Sequence, residues 1–477
     1  MSQYEDIGAK YPENFFFNLA KLNGALGKSI IKCSADRVDG INPSTISNIR
    51  LPIGMLLHMD SMALWFKVSV LGSNVSTFGR YSSTFIKRMS ITMNNVTVQI
   101  IQDYNLLYSI YADHNNKGYS KGIAGEMLNP SVIWSEGAGS TDQVAISGVD
   151  AMSASVTKQT DVQMCINNFL GFFGSASQRI LPTEKIGECV ISIQWADNHE
   201  VLGYTGEASA VTPASSDTYS ISDLYLTAES LSFSDSTYYE NIDNSDILIG
   251  FNDYVVTRFA DVEKKSSVNC TTYMHAGSID HLIGTCVLPQ QSTPSPMCAY
   301  GSLGTGASGV VVNLFKYLSD PVAYAGNSST TSTDNIYGDG FWSTLSMQRC
   351  LQHIESSSWS INNKKLNYDA LNPYEIFQNN LNALGYLGVD SSADSLNPAI
   401  VSLLHYYKYF GCCVQSLELI DKSSFYISGL SSAGSSASVN WTCKFSGTSN
   451  TMSVQPIIIA KISKVLEVRP GRSISVY

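Results

Sequence analysis

Apolar and polar residues alternate most regularly in the stretch Thr84–Tyr108, TFIKRMSITMNNVTVQIIQDYNLLY. Its centre, Asn94-Asn95, tolerates the positive φ angles of a type I′ turn, so the pattern predicts two antiparallel strands joined by a tight hairpin. Because side chains alternate across a strand, one face collects six apolar residues. They form the facing pairs Met93 and Val96, Ile91 and Val98, and Met89 and Ile100. The other face carries Arg88, Ser90, Thr92, Thr97 and Gln99, with Ile101 as its one apolar member. Taken alone, this pattern predicts an antiparallel hairpin on a core.

A helix is predicted directly after this hairpin, and the same arrangement recurs later in the chain. Gln102–Asn105 opens a helical turn whose apolar positions are Leu106, Leu107 and Ile110. Ser356–Leu366 again contains a strand and an Asn-Asn pair, and the helix that follows it opens at Asn372-Pro373-Tyr374-Glu375. This repetition predicts a duplicated architecture.

Polar segments divide the chain into four parts. Residues 1–44 are mixed in character and are predicted to form an N-terminal arm. Residues 45–234 and 248–477 each contain many short strands, and the acidic segment 235–247 between them is the predicted interdomain linker. An eight-stranded antiparallel sandwich, the jelly roll, fits each half. The predicted fold class is therefore all-β, with two consecutive eight-stranded jelly-roll sandwiches and short helices in the loops.

Composition narrows the class of protein. The 477 residues are 10% aromatic and only 14% charged, against roughly 25% charged in an average globular protein. Such a chain is typical of a β-rich protein whose surface is covered by neighbours or by uncharged polar loops. The net charge of −11 argues against packaging of nucleic acid on a basic surface. The ten cysteines lack any Cys-x-x-Cys or zinc-type spacing, so we expect reduced core thiols.

Targeting signals are not apparent in the sequence. The start MSQYEDIGAKYPENFFFNL lacks the basic and apolar regions of a signal peptide. No run of about 18 apolar residues, which a membrane-spanning helix needs, occurs in the sequence. We therefore expect a protein that is made and folded in a cytosol.

Motifs for cofactor binding are weak. Gly304–Gly309 matches the dinucleotide pattern G-x-G-x-x-G, but the β-branched run Val310–Val312 follows where a helix is required. Gly24–Ser29 is similar to a phosphate-binding loop, except that Leu22 stands where the leading glycine belongs. Neither motif predicts a cofactor site.

Candidate catalytic groups are dispersed. The seven histidines have no nucleophile in a G-x-S-x-G context, so structural or surface roles are favoured; they are His58, His114, His199, His275, His281, His353 and His405. The aromatic cluster Tyr406–Phe410 is expected in a core or an interface. No catalytic, cofactor-binding or metal-binding residue is predicted. A carboxylate pair distant in sequence, as in a β-sandwich glycoside hydrolase, stays open.

The order of these segments resembles the double jelly-roll major capsid proteins of nucleocytoplasmic large DNA viruses, virophages and related icosahedral viruses. The resemblance covers most of residues 45–477 and rests on the order and style of segments in both halves. The segments that carry it are Phe78–Met89, Asp103–Tyr108, Asp223–Phe233, Glu240–Tyr254, Phe425–Gly429, Val439–Trp441 and Lys461–Gly471.

The resemblance implies a structural protein of the virion and not an enzyme. Members form homotrimers, and the two sandwiches of each subunit give a pseudo-hexagonal capsomer. The implied partners are neighbouring capsomers, minor capsid or penton proteins and an internal lipid membrane, with no sequence-specific nucleic acid and no cofactor. A carbohydrate-binding or host-attachment β-sandwich protein is the alternative, and exposed, parallel aromatic rings would favour it.

Overall fold

Antiparallel sheets dominate the computed structural model of the chain. The structure describes residues 26–71, 75–77, 82–114, 132–135, 143–146, 162–201, 203–204, 218–233, 236–263, 267–287, 351, 354–367, 369–385, 406–407, 411–418, 428–432, 434, 436–446 and 453–477. In these ranges no helix is long and apolar enough to cross a bilayer.

The first half of the chain contains thirteen of the described strands. They are β1 (Leu26–Ser34), β2 (Ile46–Leu51), β3 (Leu56–Leu71), β4 (Val75–Thr77), β5 (Ile86–Met93), β6 (Val96–Gln102), β7 (Val132–Ser135), β8 (Gln143–Ile146), β9 (Val162–Ile166), β10 (Ile180–Pro182), β11 (Cys189–Trp195), β12 (Gly203–Tyr204) and β13 (Thr218–Phe233).

The second half contains the remaining described strands. They are β14 (Ile247–Arg258), β15 (Val262–Glu263), β16 (Ser267–Met274), β17 (Ser278–Val287), β18 (Ile354–Ile361), β19 (Lys364–Lys365), β20 (Cys413–Ser416), β21 (Ala437–Phe445), β22 (Ser453–Arg469) and β23 (Ser473–Val476). Across both halves, the helices of the described residues are α1 (Tyr104–Asp113), α2 (Phe172–Ser175), α3 (Thr183–Ile186), α4 (Asn198–Val201), α5 (Ser236–Asn244) and α6 (Pro373–Leu384), with a 3₁₀ turn at Ser82–Phe85.

Both halves have the same strand order. The first sandwich pairs the sheet β1-β13-β3-β10 with the sheet β2-β11-β5-β6, and β9 adds to β3. The second pairs β14-β22-β17-β20 with β16-β21-β18-β19. When the eight principal strands of each half are counted in chain order, both halves join the first, eighth, third and sixth in one sheet and the rest in the other. This order confirms the prediction of two eight-stranded jelly-roll sandwiches.

The predicted hairpin and helix near the middle of each half are confirmed. Asn94 and Asn95, between β5 and β6, have φ angles of 45° and 63°. Asn362 and Asn363, between β18 and β19, repeat this turn with φ angles of 50° and 63°. Helix α6 then begins at a capping box, in which the side chains of Asn372 and Glu375 each accept a hydrogen bond from the other residue's backbone N–H.

The register predicted for the first hairpin is wrong beyond the first two pairs after the turn. Val98 forms a β-bulge, so Ile91 pairs with Gln99 and every later pair is displaced by one residue. Ile101 is therefore buried, with 1% of its surface exposed, whereas Ile100 is 38% exposed. One extra residue in a strand exchanges its faces. Ile101, the single apolar residue on the predicted polar face, was the signal of the bulge.

Strand β1 lies within residues 1–44, the stretch predicted as an arm. It pairs with β13 over its whole length, from Leu26 opposite Phe233 to Ser34 opposite Tyr225. Residues 26–34 are therefore part of the first sandwich, as the edge strand of one of its sheets.

Aromatic side chains fill the middle of each core. In the first sandwich, Phe66 lies edge-on to Trp195 with ring centroids 5.4 Å apart. In the second, Trp359 stacks on Trp441 at 5.9 Å. Gly284 of β17 lies so close to Trp441 that an added Cβ would be 2.4 Å from the indole ring. The tight packing of this core thus depends on the missing side chain.

The described cysteines are all buried, as expected for core thiols; they are Cys33, Cys165, Cys189, Cys270, Cys286, Cys412, Cys413 and Cys443. Burial raises the pKa of Cys189 and of Cys270 to about 12. These thiols therefore stay protonated and act as small apolar side chains.

Candidate functional site: the junction of the two sandwiches

The two sandwiches share a continuous apolar junction. In β22, Ile458 and Ala460 belong to the second core, whereas their neighbours Ile457 and Ile459 belong to the apolar cluster of the first sandwich. The central part of the sheet β14-β22-β17-β20, formed by β17 and the middle of β22, is therefore buried on both faces. Its second face meets helix α1, where the rings of Tyr111 and Tyr254 lie 5.5 Å apart.

Gln99, which the bulge turns inward, joins the two halves through hydrogen bonds. Its side-chain N–H groups donate to the carbonyl of Asn252 at 2.9 Å and to Asp253 Oδ1 at 2.8 Å. Its carbonyl oxygen accepts from the N–H of Phe172 at 2.7 Å. The second Asp253 oxygen is 2.7 Å from Lys464 Nζ. A buried amide with both ends satisfied fixes the position of β14 against β6.

Asp103 is the centre of a buried ion cluster across the same junction. Its carboxylate accepts from Arg258 Nε at 2.6 Å and lies 2.9 Å from Lys87 Nζ, which also pairs with Glu200. Burial favours a higher pKa for Asp103, but the Arg258 and Lys87 contacts outweigh it and lower that pKa. Asp103 is thus charged and bridges β5 of the first sandwich to β14 of the second.

A second polar cluster lies on the second sandwich near α1. Glu418 accepts a hydrogen bond from Lys461 Nζ at 2.7 Å and lies 3.4 Å from His281 Nε2. Burial favours a higher pKa for Glu418, but the bonds from His281 and Lys461 outweigh it and hold its pKa at about 2. Burial, Tyr254 and the Glu418 charge together raise the pKa of Tyr111 well above its usual value.

The predicted aromatic core cluster closes one end of the junction. Tyr406 and Tyr407 are both buried, as predicted for Tyr406–Phe410, whose last three residues lie outside the described ranges. The hydroxyl of Tyr406 lies 2.9 Å from His114 Nε2 at the end of α1 and accepts from Asn380 Nδ2 of α6 at 2.8 Å. Through these two contacts, Tyr406 links α1 of the first half to α6 of the second.

The chain between the sandwiches is held by Lys185. This lysine is 4% exposed, and its ammonium donates to the carbonyls of Ile242, at 2.6 Å, and of Ser245. Both carbonyls lie at the C-terminal end of α5, where a helix leaves its acceptors unpaired and favours a positive charge. The connection is thereby fastened to the first sandwich.

The weak motifs of the sequence do not form a site in the described residues. Gly27–Ser29 lies in strand β1, which is not a loop before a helix, and Gly304–Gly309 falls outside the described ranges. Within those ranges, no group of three or more potential metal ligands is found.

The residues that join the halves were missed by sequence reasoning. Gln99 and Asp253, or Asp103 and Arg258, are separated by about 150 residues in sequence. The residues of such a pair meet only when the two sandwiches are packed together. The apolar Ile101 in a polar row was the one available signal, since it marks the bulge that turns Gln99 inward.

No protein-family model matches the chain, and no curated protein matches it. Solved structures do match over nearly its whole length. PBCV-1 VP54, fitted into a cryo-EM reconstruction of the virophage Sputnik, has 10% identity and a TM-score of 0.59, with 97% of this chain and 99% of that chain covered. The mavirus major capsid protein has 8% identity and a TM-score of 0.51, covering 100% and 96%. The Faustovirus major capsid protein has 10% identity and a TM-score of 0.53, covering 95% and 92%. The chain therefore has the double jelly-roll fold of these viral capsid proteins.

Proposed function

We propose that this chain is a major capsid protein that forms the shell of an icosahedral DNA virus. The observation that carries the proposal is the fold itself. Two sandwiches of identical strand order are joined by a buried junction into one block, and this block aligns end to end with capsid proteins. A subunit of a shell needs its two sandwiches in a fixed arrangement, because it must hold its contacts with neighbouring subunits.

Three copies of a two-sandwich block provide six similar sandwiches, which can surround a three-fold axis as a pseudo-hexagonal capsomer. We propose a homotrimer of this kind, in contact with neighbouring capsomers, with minor capsid or penton proteins and with an internal lipid membrane. The protein would be made in the host cytoplasm and end in the virion. We propose residues 26–233 and 247–476 as the two structural units, with α5 between them.

Two other classes of function are less well supported. A glycoside hydrolase needs facing carboxylates in a cleft, and the acidic groups of the junction instead bind Arg258, Lys87 and Lys461. The matched structures with the same fold are capsid proteins, which favours a shell protein over a carbohydrate-binding or host-attachment protein and over an enzyme.

The proposal is tested by the mass and shape of the purified protein. Light scattering after size exclusion should give three times the mass of the 51.9 kDa chain, and negative-stain images should show a hexagonal outline. A strict monomer at all concentrations that binds glycans would refute the proposed capsid function.

A further inference from the structure

A buried lysine of the second sandwich lies between two carboxylates. Lys461 of β22 is 7% exposed, and Asp280 of β17 is 2% exposed. Lys461 Nζ is 2.7 Å from Glu418 Oε1 and 4.0 Å from Asp280 Oδ2. Removal of three ionisable groups from water is costly, and such groups gather where a protein carries out chemistry as well as where it is only held together.

A β-bulge aims Asp280 at this lysine. In the pairing of β17 with β22, Ile279 lies opposite Ile462 and His281 lies opposite Lys461, so Asp280 is the extra residue. An extra residue in a strand changes the direction of its side chain, and bulges of this kind are frequent beside active sites. The bulge thus brings a carboxyl group and an amine of neighbouring strands together inside the protein.

The Asp280 carboxylate is held by two hydroxyl groups. Ser278 Oγ donates to Oδ1 and Ser463 Oγ donates to Oδ2, each at 2.7 Å. Gly429 lies against the same carboxylate, since an added Cβ there would be 2.5 Å from Oδ1. Donors that are aimed at both oxygens stabilise the negative charge that develops on them when a nucleophile adds to the carboxyl carbon.

Glu418 is placed to carry protons between the other two groups. The neighbouring Leu417 donates its backbone N–H to the carbonyl of Asp280 at 2.7 Å, which fixes Glu418 beside the bulge. The Glu418 carboxylate accepts a hydrogen bond from Lys461 Nζ at 2.7 Å, a distance that allows direct proton transfer. The Glu418 side chain is 17% exposed, so a small molecule released here has a route to solvent.

We propose that Lys461 and Asp280 join in an intramolecular amide bond, with Glu418 as the proton carrier. An amine that is removed from water and has a base beside it is an activated nucleophile. The flexible lysine stem allows the nitrogen to approach the carboxyl carbon to roughly 3–3.5 Å, the separation from which such bonds form. This cross-link goes beyond the proposed shell function and does not depend on it.

The reaction is a condensation that needs no oxidant, reductant or cofactor. Lys461 gives one proton to Glu418, and the nitrogen lone pair then forms the C–N bond to the carboxyl carbon of Asp280. Glu418 passes this proton, and then a second one from the nitrogen, to the Asp280 oxygen whose C–O bond breaks. The charged amine and the carboxylate thereby become one neutral amide and one water molecule.

The bond ties two neighbouring strands of the sheet that are distant in the chain, β17 and β22. The ion pair between Lys461 and Glu418 is the state before the reaction. His281, whose Nε2 is 3.4 Å from Glu418, remains next to the Glu418 carboxylate afterwards. The second sandwich is thus closed by a covalent link in the sheet that meets α1.

The mass of the purified full-length protein provides the test. We expect the unfolded wild type to weigh one water less than its sequence requires, and its proteolytic peptides to include a branched one that joins Asp280 to Lys461. Lys461→Arg keeps a positive charge beside Glu418 but has no amine to acylate, so it should have the full mass and run differently on a denaturing gel. Wild-type protein without the branched peptide overturns the proposal, whether or not any variant folds.

Lys464→Arg is the matched control on the same strand. Lys464 Nζ is also 2.7 Å from a carboxylate, that of Asp253, but the lysine side chain is 32% exposed and its amine stays hydrated. This variant should retain the mass deficit and the branched peptide of the wild type. Loss of both in Lys464→Arg would show that the link is not the one between Lys461 and Asp280.

Glu418→Gln tests the proton transfer. Gln preserves the size of the side chain but cannot accept a proton from the amine, so the linked fraction should rise at least about a hundredfold more slowly after synthesis, as is typical when a general base is lost. Circular dichroism establishes that the variant is folded. If folded Glu418→Gln protein links as fast as the wild type, the role given to Glu418 is wrong.

Discussion

The two sandwiches have the same strand order, but the helices that follow their hairpins differ in composition and in surroundings. Helix α1, YNLLYSIYAD, is apolar almost all round and is buried between the halves. Helix α6, PYEIFQNNLNAL, has an apolar stripe and an exposed polar side. A helix that is apolar on every side needs a partner on every side. The two halves thus repeat the same topology, whereas the composition of each helix differs with how much of its surface is covered within the chain.

The same comparison holds for hydrogen bonds and charges. The α1 side of the junction contains the buried side chains of Gln99 and Asp103, which bind Asp253 and Arg258 of the second sandwich. Buried charges that lose a partner are costly, whereas exposed pairs contribute little. The inner junction should therefore respond strongly to single substitutions, and exposed ion pairs should respond weakly.

The largest effect is expected from Ile91→Asp in β5. Ile91 is 2% exposed, and burial of an unpaired carboxylate should cost more than about 4 kcal/mol, enough to prevent folding. Soluble expression and circular dichroism report the outcome. Ile100→Asp is the matched control, because Ile100 is 38% exposed on the adjacent strand. Folded, assembling Ile91→Asp protein would show that the buried face is assigned wrongly.

A smaller but clear loss is expected from Asp103→Asn. Asn tolerates the left-handed φ of 48° at this position, so the backbone is spared while Arg258 and Lys87 lose their charged partner. Chemical denaturation should show a loss of about 3 kcal/mol, in the range for a broken buried ion pair.

Glu467→Gln provides the comparison for Asp103→Asn. It removes the exposed pair with Arg469 and should change stability much less. Equal effects of the two substitutions would contradict the central role given to the buried cluster.

Packing of the second core predicts a loss for Gly284→Ala. The new Cβ would approach the Trp441 ring to 2.4 Å, and overpacking of this kind typically costs about 1–3 kcal/mol. Thermal melting and the fluorescence of the tryptophans should both change. Gly277→Ala is the control, since nothing lies within 4 Å of its added Cβ; if both variants melt alike, the contact with Trp441 is not tight.

A further effect, confined to acid pH, is expected from the titration of Glu418. The pKa of Glu418 is about 2 in the folded protein and 4.5 in its ordinary state. A lowered folded pKa stabilises the protein fully above pH 4.5, and this contribution is lost as pH falls from 4.5 towards 2. Glu418→Gln should therefore lower stability at neutral pH and flatten the decline of stability over that acid range. An unchanged slope in denaturation series at stepwise pH would contradict the assignment.

Local features of the fold were predictable because they depend on neighbours in sequence. The Asn94-Asn95 and Asn362-Asn363 turns and the helix start at Asn372 follow from the conformations these residues favour. The bulge at Val98 was not predicted, because its one signal in the sequence was Ile101, a single apolar residue in an otherwise polar row. Strand β1 was assigned to the arm because its residues are mixed, as an edge strand with one exposed face allows.

The junction could not be predicted for a different reason. Its contacts join residues about 150 positions apart, such as Gln99 and Asp253, and each residue alone has many possible partners. The resemblance to viral capsid proteins supplied the arrangement of the halves, and the structures that match the chain confirm that fold. Which side chains hold the halves together depends on how the two sandwiches pack against each other, and the structure shows this packing.

A cryo-EM reconstruction of the purified wild-type particle tests the central claim most directly. The account predicts six sandwiches around a three-fold axis, two from each of three chains. A particle with a single chain, or a two-fold dimer, would contradict it.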